Sequence, residues 1–600
     1  MRPPILILTR SDDANRMAAH LAEQLRMEGL GWLEMRDLAR TPLGSEERLP
    51  PLVLATAVEY DAATSATLRA HVERGGTLLA ARPCAALAEA LDLGRPVPLW
   101  PEHDRAYVLL HAQSAPAAGL PWIETGVQCF GSLAAYPGLL AAPPQSSLLE
   151  PLAWLAPYPG QRTRFPAVAA GQMGHGRLAV FCFDPATSAV RQQQGQPEQA
   201  SSGTLPDFDG DGAFRPNDLF LGQLDPALRD VPQADVQRSL LVRVIEWLTA
   251  ARPLPRLWRF PEAAPAAALI DGDSDSMAAE DLHLAISTCD RYGAPFATYL
   301  KPEHFELIAP AEARALQARG HHFGLHPWAG PQPAIAELRA AVEADGAAFA
   351  AHLGFRPRIH RGHWLIWPGW VDHARALAGA GIRLEASFAA GRGFQGGYVN
   401  GSGLPAWFVD EDGQLLDLFE QSTISTDDGW LQDKTGLPAM TLAEAITRSY
   451  HQIDDAALRF HTVYHPYFHP VALKGRRANR YPTLPWLEAV LAHAQQRGVL
   501  FLDAERWIDW NAARRQVALA QLEHDETGLR CTLHAPVRIE AASLLVPLPA
   551  GAAAVTATLD GAPLDPPACR VMLRHGRPYA SVTLTLRSGE QRAVHIRWQQ

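Results

Sequence analysis

The chain has 600 residues, of which 47% are hydrophobic and 20% are charged, and its net charge is −11. This length is too great for one hydrophobic core, so we expect about two to four domains. The acidic balance and the lack of a basic run argue against a nucleic-acid-binding protein. The six scattered cysteines form no Cys-x-x-Cys pair, which argues against a zinc–thiolate site and a disulfide framework.

No stretch reaches the roughly 18 apolar residues of a transmembrane segment. The N-terminal sequence MRPPILILT predicts a first strand and lacks the longer apolar core and the cleavage site of a signal peptide. The chain as written is therefore expected in the cytoplasm, and outside it only if a leader has been trimmed. The sequence carries no indication of the oligomeric state.

Strand and helix patterns alternate over residues 1–255. This alternation predicts a doubly wound parallel α/β sheet, closed by an amphipathic helix and a proline-containing linker. The predicted strands are 5–9, 51–56 and 77–81, the helices are 14–29, 65–74 and 235–249, and the linker is 251–255.

The segments HVERGGTLLAARP (71–83) and GHGRLAVFCFD (174–184) resemble the class I glutamine-amidotransferase-like fold in its non-catalytic branches. Active members need a cysteine on a tight strand-to-helix turn between glycines. Cys84 follows a predicted strand, but its neighbours are Pro83 and Ala85. The resemblance therefore implies a scaffold or a ligand-binding domain.

Asp207, Asp209, Asp211 and Asp218 occupy positions one, three, five and twelve of a candidate calcium loop, which has a glycine at position six. The flanking residues do not have the pattern of an EF-hand helix pair, and position nine is Arg215. A structural calcium site and a plain acidic turn both remain open.

The apolar run 266–270 leads directly into Asp271, Asp273 and Asp275. Such a run predicts a buried strand, and α/β folds place their active sites just past the ends of buried strands. Three carboxylates at that place suggest a metal or acid/base centre. A cap of the next helix is the alternative.

Further β-α units across residues 256–512 predict a parallel barrel. Their motifs follow the order of the polysaccharide deacetylases, nodulation-type carbohydrate esterases with a distorted (β/α) barrel, which this region resembles. The motifs are ALIDGDSD (268–275), FATYL (296–300), GHHFGLH (320–326), RGH (361–363), VYHP (463–466) and GVLFLDAERWIDW (498–510).

The resemblance implies a divalent metal ion, with zinc expected, held by Asp273 and His326. The second metal histidine of that family falls four residues after the first, where this chain has Gly330. We therefore expect His363 as the remaining ligand. His322 is the alternative, although it would lie deeper in its strand.

The resemblance also implies that Asp271 is the general base, that Arg361 orients it and that His465 protonates the leaving group. An inserted glycine separates the first two aspartates, which are adjacent in the family. Asp273 and Asp275 are therefore an alternative working pair.

Aromatic residues lie just beyond these positions. Trp364, Trp367 and Tyr467 are expected to contact a carbohydrate, with core packing as the alternative for the tryptophans, Trp370 included. The glycine-rich stretch 391–397 predicts a substrate lid. Short alternating segments across 513–600 predict an antiparallel β-sandwich.

These observations favour a metal-dependent hydrolase that removes N- or O-acetyl groups from a carbohydrate polymer or glycoconjugate. One alternative is a non-catalytic carbohydrate-binding or assembly protein with a degenerate deacetylase barrel. Another is a glycosidase that uses two carboxylates, such as Asp271 and Glu385.

Overall fold

A computed structural model describes residues 3–599 with internal gaps. The gaps are 45–46, 112–113, 115, 117, 122, 141–148, 202–211, 390–394, 434–437, 476–480, 526, 550 and 553, and the side chain of Ser201 is also left out. Of the helices in the described part, none has the length and apolar character to cross a membrane.

The first domain is built on a nine-stranded sheet in the order β2-β1-β3-β4-β11-β10-β9-β6-β7, and β5 pairs with β8 beside it. The strands are β1 (Ile5–Thr9), β2 (Leu33–Asp37), β3 (Leu52–Ala55), β4 (Thr77–Ala81), β5 (Val97–Leu99), β6 (Arg105–Leu110), β7 (Val127–Phe130), β8 (Leu133–Ala135), β9 (Leu149–Ala156), β10 (Pro166–Met173) and β11 (Gly176–Phe181). The helices are α1 (Leu21–Met27), α2 (Ala62–Glu73), α3 (Ala85–Ala90), α4 (Pro137–Leu140), α5 (Pro185–Gln194), α6 (Pro197–Ser201) and α7 (Gln233–Leu248).

The sheet of this domain is only half parallel. Strands β2, β1, β3, β4 and β11 run parallel, as the alternating pattern predicts, and β1 is buried on both faces. Strands β10, β9, β6 and β7 are antiparallel. The two-residue connection between β10 and β11 is a hairpin, which is too short for the helical crossover of a parallel pair.

The middle region forms a second nine-stranded sheet, β19-β20-β18-β17-β16-β15-β14-β23-β21, and a small sheet β22-β13-β24 below it. The strands are β12 (Arg256–Leu257), β13 (Ala267–Ala268), β14 (Asp271–Asp273), β15 (Ala297–Leu300), β16 (His322–Leu325), β17 (Ile359–His360), β18 (Leu384–Glu385), β19 (Ala406–Val409), β20 (Leu415–Glu420), β21 (Ser425–Thr426), β22 (Val463–Tyr464), β23 (Pro466–Tyr467) and β24 (Leu500–Phe501). The helices are α8 (Ala279–Asp290), α9 (Pro310–Ala318), α10 (Ile335–Leu353), α11 (Asp372–Gly379), α12 (Asp427–Leu431), α13 (Leu442–Asp455), α14 (Leu484–Gln496) and α15 (Ala504–Gln516).

This second sheet is curled. All of its pairings are parallel except β19 with β20. Strands β20 and β21 are four residues apart in the chain, yet β20 pairs with β18 and β21 with β23 near the two ends of the sheet. The sheet must therefore bend round until its ends approach each other, which gathers the carboxyl ends of its strands at one mouth.

The glycine inserted in the aspartate run has a steric reason. A Cβ atom on Gly272 would lie 1.8 Å from the backbone oxygen of Phe468 on the neighbouring segment. That segment is tied to β14 by a 2.9 Å hydrogen bond from Phe468 N to Asp271 O. Only glycine permits this close approach of the two backbones.

The last region consists of two antiparallel sheets, β25-β26-β32-β28-β29 and β12-β27-β31-β30. Leu529 and Leu533 of one sheet and Leu544 and Val582 of the other lie in one hydrophobic cluster. The strands are β25 (Ala518–His524), β26 (Gly528–Ala535), β27 (Ile539–Pro547), β28 (Ala554–Leu559), β29 (Ala562–Pro563), β30 (Cys569–Arg574), β31 (Arg577–Leu586) and β32 (Glu590–Gln599). The predicted linker 251–255 therefore leads directly into β12, a strand of the C-terminal region.

Buried ion pairs join the regions. Glu28 of the first domain contacts Arg259 at 2.8 Å, Arg256 at 3.4 Å and Arg238 at 3.6 Å, and all four side chains are buried. Burial alone would raise the pKa of Glu28, but the three guanidinium groups hold it below its usual value. Because separating the regions would deprive the buried Arg256 and Arg259 of this carboxylate, the ion pairs favour a fixed arrangement.

Candidate active site

The predicted residues meet at the mouth of the curled sheet. Asp271 and Asp273 lie in β14, His326 directly follows β16, and Arg361 directly follows β17. His465 separates β22 from β23. Because these strands are parallel, their carboxyl ends share one edge, where barrels of this kind place functional groups.

A fully buried charged layer lies deepest. Arg361 donates two hydrogen bonds to Asp271, at 2.8 and 3.1 Å, and His465 Nε2 lies 2.6 Å from Asp271 Oδ2. None of the three side chains has exposed surface. Burial by itself would raise the pKa of Asp271, but Arg361 and His465 lower it below its usual value, so the carboxylate is ionised.

Arg361 is held on every side. Its guanidinium lies between the rings of Tyr299 and Tyr467, 4.5 Å from each ring centre, in cation–π geometry. It also donates to Ala386 O at 3.0 Å and to Thr423 Oγ1 at 2.9 Å. These contacts fix the position of Arg361, and Arg361 in turn fixes the carboxylates that it contacts.

Both ring nitrogens of His465 contact groups of the protein. Its Nδ1 lies 3.0 Å from the backbone oxygen of Ser422, and its Nε2 faces Asp271. Asp271 engages His465 Nε2 and the side chain has no exposed surface, so the contacts of His465 give no support to its predicted role as proton donor to the leaving group.

A second layer lies two residues further along β14. Asp273 Oδ1 accepts a 3.2 Å hydrogen bond from Arg361, and its Oδ2 accepts a 2.8 Å hydrogen bond from the Tyr467 hydroxyl. Alternate residues of a strand share a face, so Asp271 and Asp273 point the same way at different depths. The two bonds fix the carboxylate plane of Asp273.

Asp275, His326 and His363 form a compact group of potential metal ligands, with one ligand atom of each within 4.8 Å of the others. His326 Nδ1 lies 2.8 Å from the backbone oxygen of Arg361 and so carries the proton. His326 Nε2 then has a lone pair and, among the described residues, makes no hydrogen bond. It lies 3.3 Å from Asp273 and 3.7 Å from Asp275.

A lone pair that faces carboxylate oxygens is repelled unless a cation lies between them. His363 Nε2 completes the group 3.2 Å from Asp275 Oδ1. Burial would raise the pKa of Asp275, but the neighbouring imidazoles of His326 and His363 hold it well below the usual value. One carboxylate and two imidazoles, with His326 Nδ1 bound to a backbone carbonyl, form a donor set that fits a divalent metal ion.

The group of potential ligands contains Asp275, a member of the alternative pair, and not the predicted ligand Asp273. Both oxygens of Asp273 accept hydrogen bonds, from Arg361 and from Tyr467. His322, the alternative histidine, lies at the start of β16 and pairs with Asp503 at 2.8 Å. It therefore lies at the opposite end of the strand from His326.

Sequence reasoning missed a histidine–aspartate pair beside this group. His469 Nδ1 lies 2.7 Å from Asp427 Oδ1, and its backbone N donates to Asp427 Oδ2 at 3.0 Å. His469 Nε2 lies 2.5 Å from the Tyr467 hydroxyl and 3.8 Å from Asp275 Oδ2. The carboxylate orients the ring and stabilises its protonated form. The alternation 465, 467, 469 was the available signal.

Two exposed tryptophans stand at the mouth. Trp364 is 50% exposed and Trp328 is 38% exposed, and their ring centres are 4.9 Å apart. Trp328 also lies 4.9 Å from the His363 ring. The prediction for Trp367 was wrong, since it is fully buried and stacks on Phe408 at 5.3 Å. Trp328 was missed although it follows His326 by two residues.

The first domain supports this mouth. Arg215 Nε donates to the backbone oxygen of Trp364 at 2.9 Å, and Phe214 O accepts a 3.0 Å hydrogen bond from Trp367 N. Trp364 has a φ of 56°, a strained conformation for a bulky residue that the surroundings must hold in place. The segment that contains Phe214 and Arg215 therefore helps to position the ring of Trp364 at the mouth.

Two other predictions fall largely outside the described residues. Asp207, Asp209 and Asp211 of the candidate calcium loop lie there, and so does 391–394 of the glycine-rich stretch. Asp218 is described and buried, and its Oδ2 accepts a 2.7 Å hydrogen bond from Arg215 N. Asp218 thus caps a short turn of helix.

The carboxylate pair of the glycosidase alternative is not accessible. Glu385 has no exposed surface and its Oε2 contacts His360 Nδ1, and Asp271 is equally buried.

In the first domain, Cys84 directly precedes α3, and its sulfur accepts a 3.3 Å hydrogen bond from Tyr60 N. Cys84 is partly buried and packs against the hydrophobic core of the first domain.

No protein-family model matches this sequence, and no curated protein is significantly similar to it. Solved structures with a similar course of the chain include the carbohydrate deacetylase Agd3, at 11% identity and TM-score 0.44, with 99% of both chains covered. The polysaccharide deacetylase Bc1974 from Bacillus cereus covers 39% of this chain and 89% of its own, at 13% identity and TM-score 0.24.

A family 4 carbohydrate esterase from Streptomyces lividans, solved in complex with acetate, covers 39% of this chain and 90% of its own, at 12% identity and TM-score 0.24. These neighbours are carbohydrate deacetylases and esterases. TM-scores this low do not establish the function of this chain.

Proposed function

We propose that this protein is a metal-dependent carbohydrate deacetylase that hydrolyses an acetyl amide or ester. The main support is the group of potential metal ligands Asp275, His326 and His363. It lies beside Asp273, a carboxylate that Arg361 holds in place. These residues supply a cation site and an adjacent base at the open end of the sheet, as metal-assisted hydrolysis requires.

Asp275, His326 and His363 would hold the metal ion, and zinc fits a set of one carboxylate and two imidazoles. When bound, such an ion lowers the pKa of water and polarises an acetyl carbonyl. The chain provides the matching geometry from three different strand ends. The side chains of Asp275 and His363 are partly exposed, so that side of the group faces the mouth.

In this mechanism Asp273 acts as the general base. It lies beside the ligand group, with its Oδ2 3.3 Å from His326 Nε2. Arg361 and Tyr467 hold its two oxygens, so the carboxylate is oriented before substrate arrives. Asp271, which the resemblance assigned to this role, acts instead as the buried counter-ion that keeps Arg361 in place.

His469 donates a proton to the leaving nitrogen or oxygen. Asp427 fixes its Nδ1, which leaves Nε2 directed toward Tyr467 and Asp275. The Tyr467 hydroxyl contacts both Asp273 and His469, so it connects the group that takes a proton with the group that gives one.

The substrate is a sugar unit that lies against the exposed rings of Trp328 and Trp364. Aromatic faces offer apolar area to the C–H faces of a sugar, and the 4.9 Å contact between Trp328 and His363 places that area beside the ligand group. An acetyl group on such a sugar would point toward Asp273 and His469.

Acetate release tests the proposal. Zinc-loaded protein should release acetate from N-acetylated glucosamine oligomers or O-acetylated xylan, and a chelator should stop the release until zinc is restored. The variant Asp273→Asn should lose the activity, whereas the exposed control Asp417→Asn should keep it. If zinc-loaded protein binds these glycans but releases no acetate, it is a carbohydrate-binding protein and the proposal fails. Release of reducing ends would instead indicate a glycosidase.

A further inference from the structure

A cleft of about 460 Å³ opens where all three regions of the chain meet. It is lined by 119–121 of the first domain, by 457–461 after α13, and by 573–576 at the turn between β30 and β31. A Cβ atom on Gly119 would lie 2.0 Å from His575 O, so two of these segments touch backbone to backbone. The volume lies within the range of about 300–1,000 Å³ of small-molecule sites.

The cleft lies away from the candidate active site. His461 lines it and precedes β22, whereas Tyr467 and His469 reach the mouth at the other end of the same segment. None of the described lining residues belongs to the ligand group or to its neighbours. A ligand in this cleft would therefore be separate from the hydrolytic substrate.

The titratable groups of the lining are all basic, and two arginines supply its positive charge, because burial and nearby charged groups lower the pKa of His461 to about 3 and that of His575 well below its usual value. Arg459, His461, Arg574 and His575 line the cleft, and no described lining residue is acidic. Arg459 pairs with Asp455 at 2.9 Å. The whole chain has a net charge of −11, so a cleft with only basic titratable groups departs from the average surface.

Arg574 lacks a counter-ion. It donates to the backbone oxygens of Leu573 at 2.9 Å and Ala263 at 2.6 Å, and its guanidinium lies 4.9 Å from the Trp258 ring centre. Among the described residues no carboxylate forms an ion pair with it, and its Nε is buried without a hydrogen-bond partner. Burial and repulsion from Arg570 and Arg256 lower the pKa of Arg574 to about 10. An arginine in this state gains stability from a bound anion.

The rim of the cleft is apolar. Leu458 is 65% exposed and Leu573 is 64% exposed, and both lie beside the basic residues. Leu120 and Pro121 add further apolar surface. Exposed leucines on both sides of a cleft suit a ligand with an apolar body.

We propose that this cleft binds a small organic anion, whose carboxylate or phosphate pairs with Arg574 and whose apolar body lies between Leu458 and Leu573. The anionic group pairs with the partly buried guanidinium, and the apolar body covers the two leucines. Both parts are required, so neither a free inorganic anion nor an uncharged amphiphile of the same chain length binds well.

Calorimetric titration of the full-length protein tests this site with four probes. Octanoate and octyl phosphate carry charge and chain, octyl glucoside carries the chain alone, and inorganic phosphate carries charge alone. The first two should bind at least about tenfold more tightly than the others, as a charged hydrogen bond in a partly buried site provides. Arg574→Met should remove that advantage, whereas Arg587→Met, at an exposed arginine after β31, should not.

A second pair of variants guards against loss of folding in Arg574→Met. Leu573 is exposed, so Leu573→Glu and Leu573→Gln should both fold, and only the glutamate should repel the anion and weaken octanoate binding about tenfold or more. The proposal would be overturned if octanoate and octyl glucoside bind equally well, or if the two Leu573 variants bind octanoate equally well. It would also be overturned if both octanoate and octyl phosphate fail to bind. If only one of the two anions binds, that anion identifies the head group.

Discussion

The buried layer predicts that two neighbouring aspartates fail in different ways when each is changed to asparagine. Asp271 has no exposed surface and makes contacts of 2.6, 2.8 and 3.1 Å to His465 and Arg361. Asp271→Asn keeps the shape but removes the negative charge, which leaves the fully buried guanidinium of Arg361 with too little compensation. Removal of one member of a buried pair costs about 3–5 kcal/mol, a large part of the roughly 5–15 kcal/mol that stabilises a folded domain.

Asp273→Asn should behave differently. Arg361 keeps Asp271 as its principal partner, so the loss is about one charged hydrogen bond, or about 1–3 kcal/mol. The same change removes the proposed base, and acetate release should fall by about 10²–10⁴-fold. Asp273→Asn should therefore be inactive but less destabilised than Asp271→Asn.

Urea unfolding followed by far-ultraviolet circular dichroism measures the two effects. Because the chain has several regions, the unfolding midpoint is compared rather than an extrapolated free energy. Asp417, which is 64% exposed in its pair with Arg383, provides the control, and Asp417→Asn should leave the midpoint almost unchanged. If Asp271→Asn unfolds at the wild-type midpoint, Asp271 is not the buried counter-ion described here.

Three further predictions concern single side chains. The pKa of His322 is raised from 6.5 to about 9, because hydrogen bonds and attraction to Asp503 and Glu505 outweigh the opposing effect of burial. Its contribution, up to roughly 3 kcal/mol, is complete below pH 6.5 and is lost as the pH rises toward 9; a pH series of urea midpoints should show this loss in the wild type and not in His322→Gln. Asp427→Asn should lower kcat by about 10²-fold or more with little change in KM, because His469 loses the carboxylate that orients it, and an unchanged kcat would exclude the pair from catalysis. Trp328→Ala should raise KM several-fold and leave zinc content unchanged, whereas an equal fall in zinc content would mean that the ring supports His363 instead of the sugar.

Much of the site location was available from the sequence. The apolar run before Asp271 predicts a buried strand, and the histidine motif at His326 predicts the end of another. Parallel strands bring such ends together whatever the details of their packing. The expectation that Asp271, Arg361 and His465 lie together agrees with the observed contacts.

The sequence does not predict how deeply each residue is buried in the site. Positions i and i+2 of a strand share a face, so the pattern cannot separate Asp271 from Asp273, or His465 from Tyr467 and His469. The proposed mechanism places the general base two residues later, at Asp273, and the proton donor four residues later, at His469. The resemblance assigned the roles to the deeper residues because its motifs begin there.

The aromatic residues show the same limit. Trp364 and Trp367 are three residues apart in one loop, yet the first is half exposed and the second is in the core. Backbone turns with positive φ at Trp364 and Leu365 decide which ring faces outward, and no periodicity predicts them. Asp427 reaches His469 from a separate loop, a contact that sequence spacing cannot indicate.

The zinc content of purified, zinc-equilibrated and dialysed protein tests the central claim most directly. The wild type and Asp273→Asn should each retain about one zinc ion per chain, and Asp275→Ala should retain almost none, because Asp275 completes the group with His326 and His363. Retention of zinc by Asp275→Ala, or its loss from Asp273→Asn at unchanged folding, would contradict the proposed metal site.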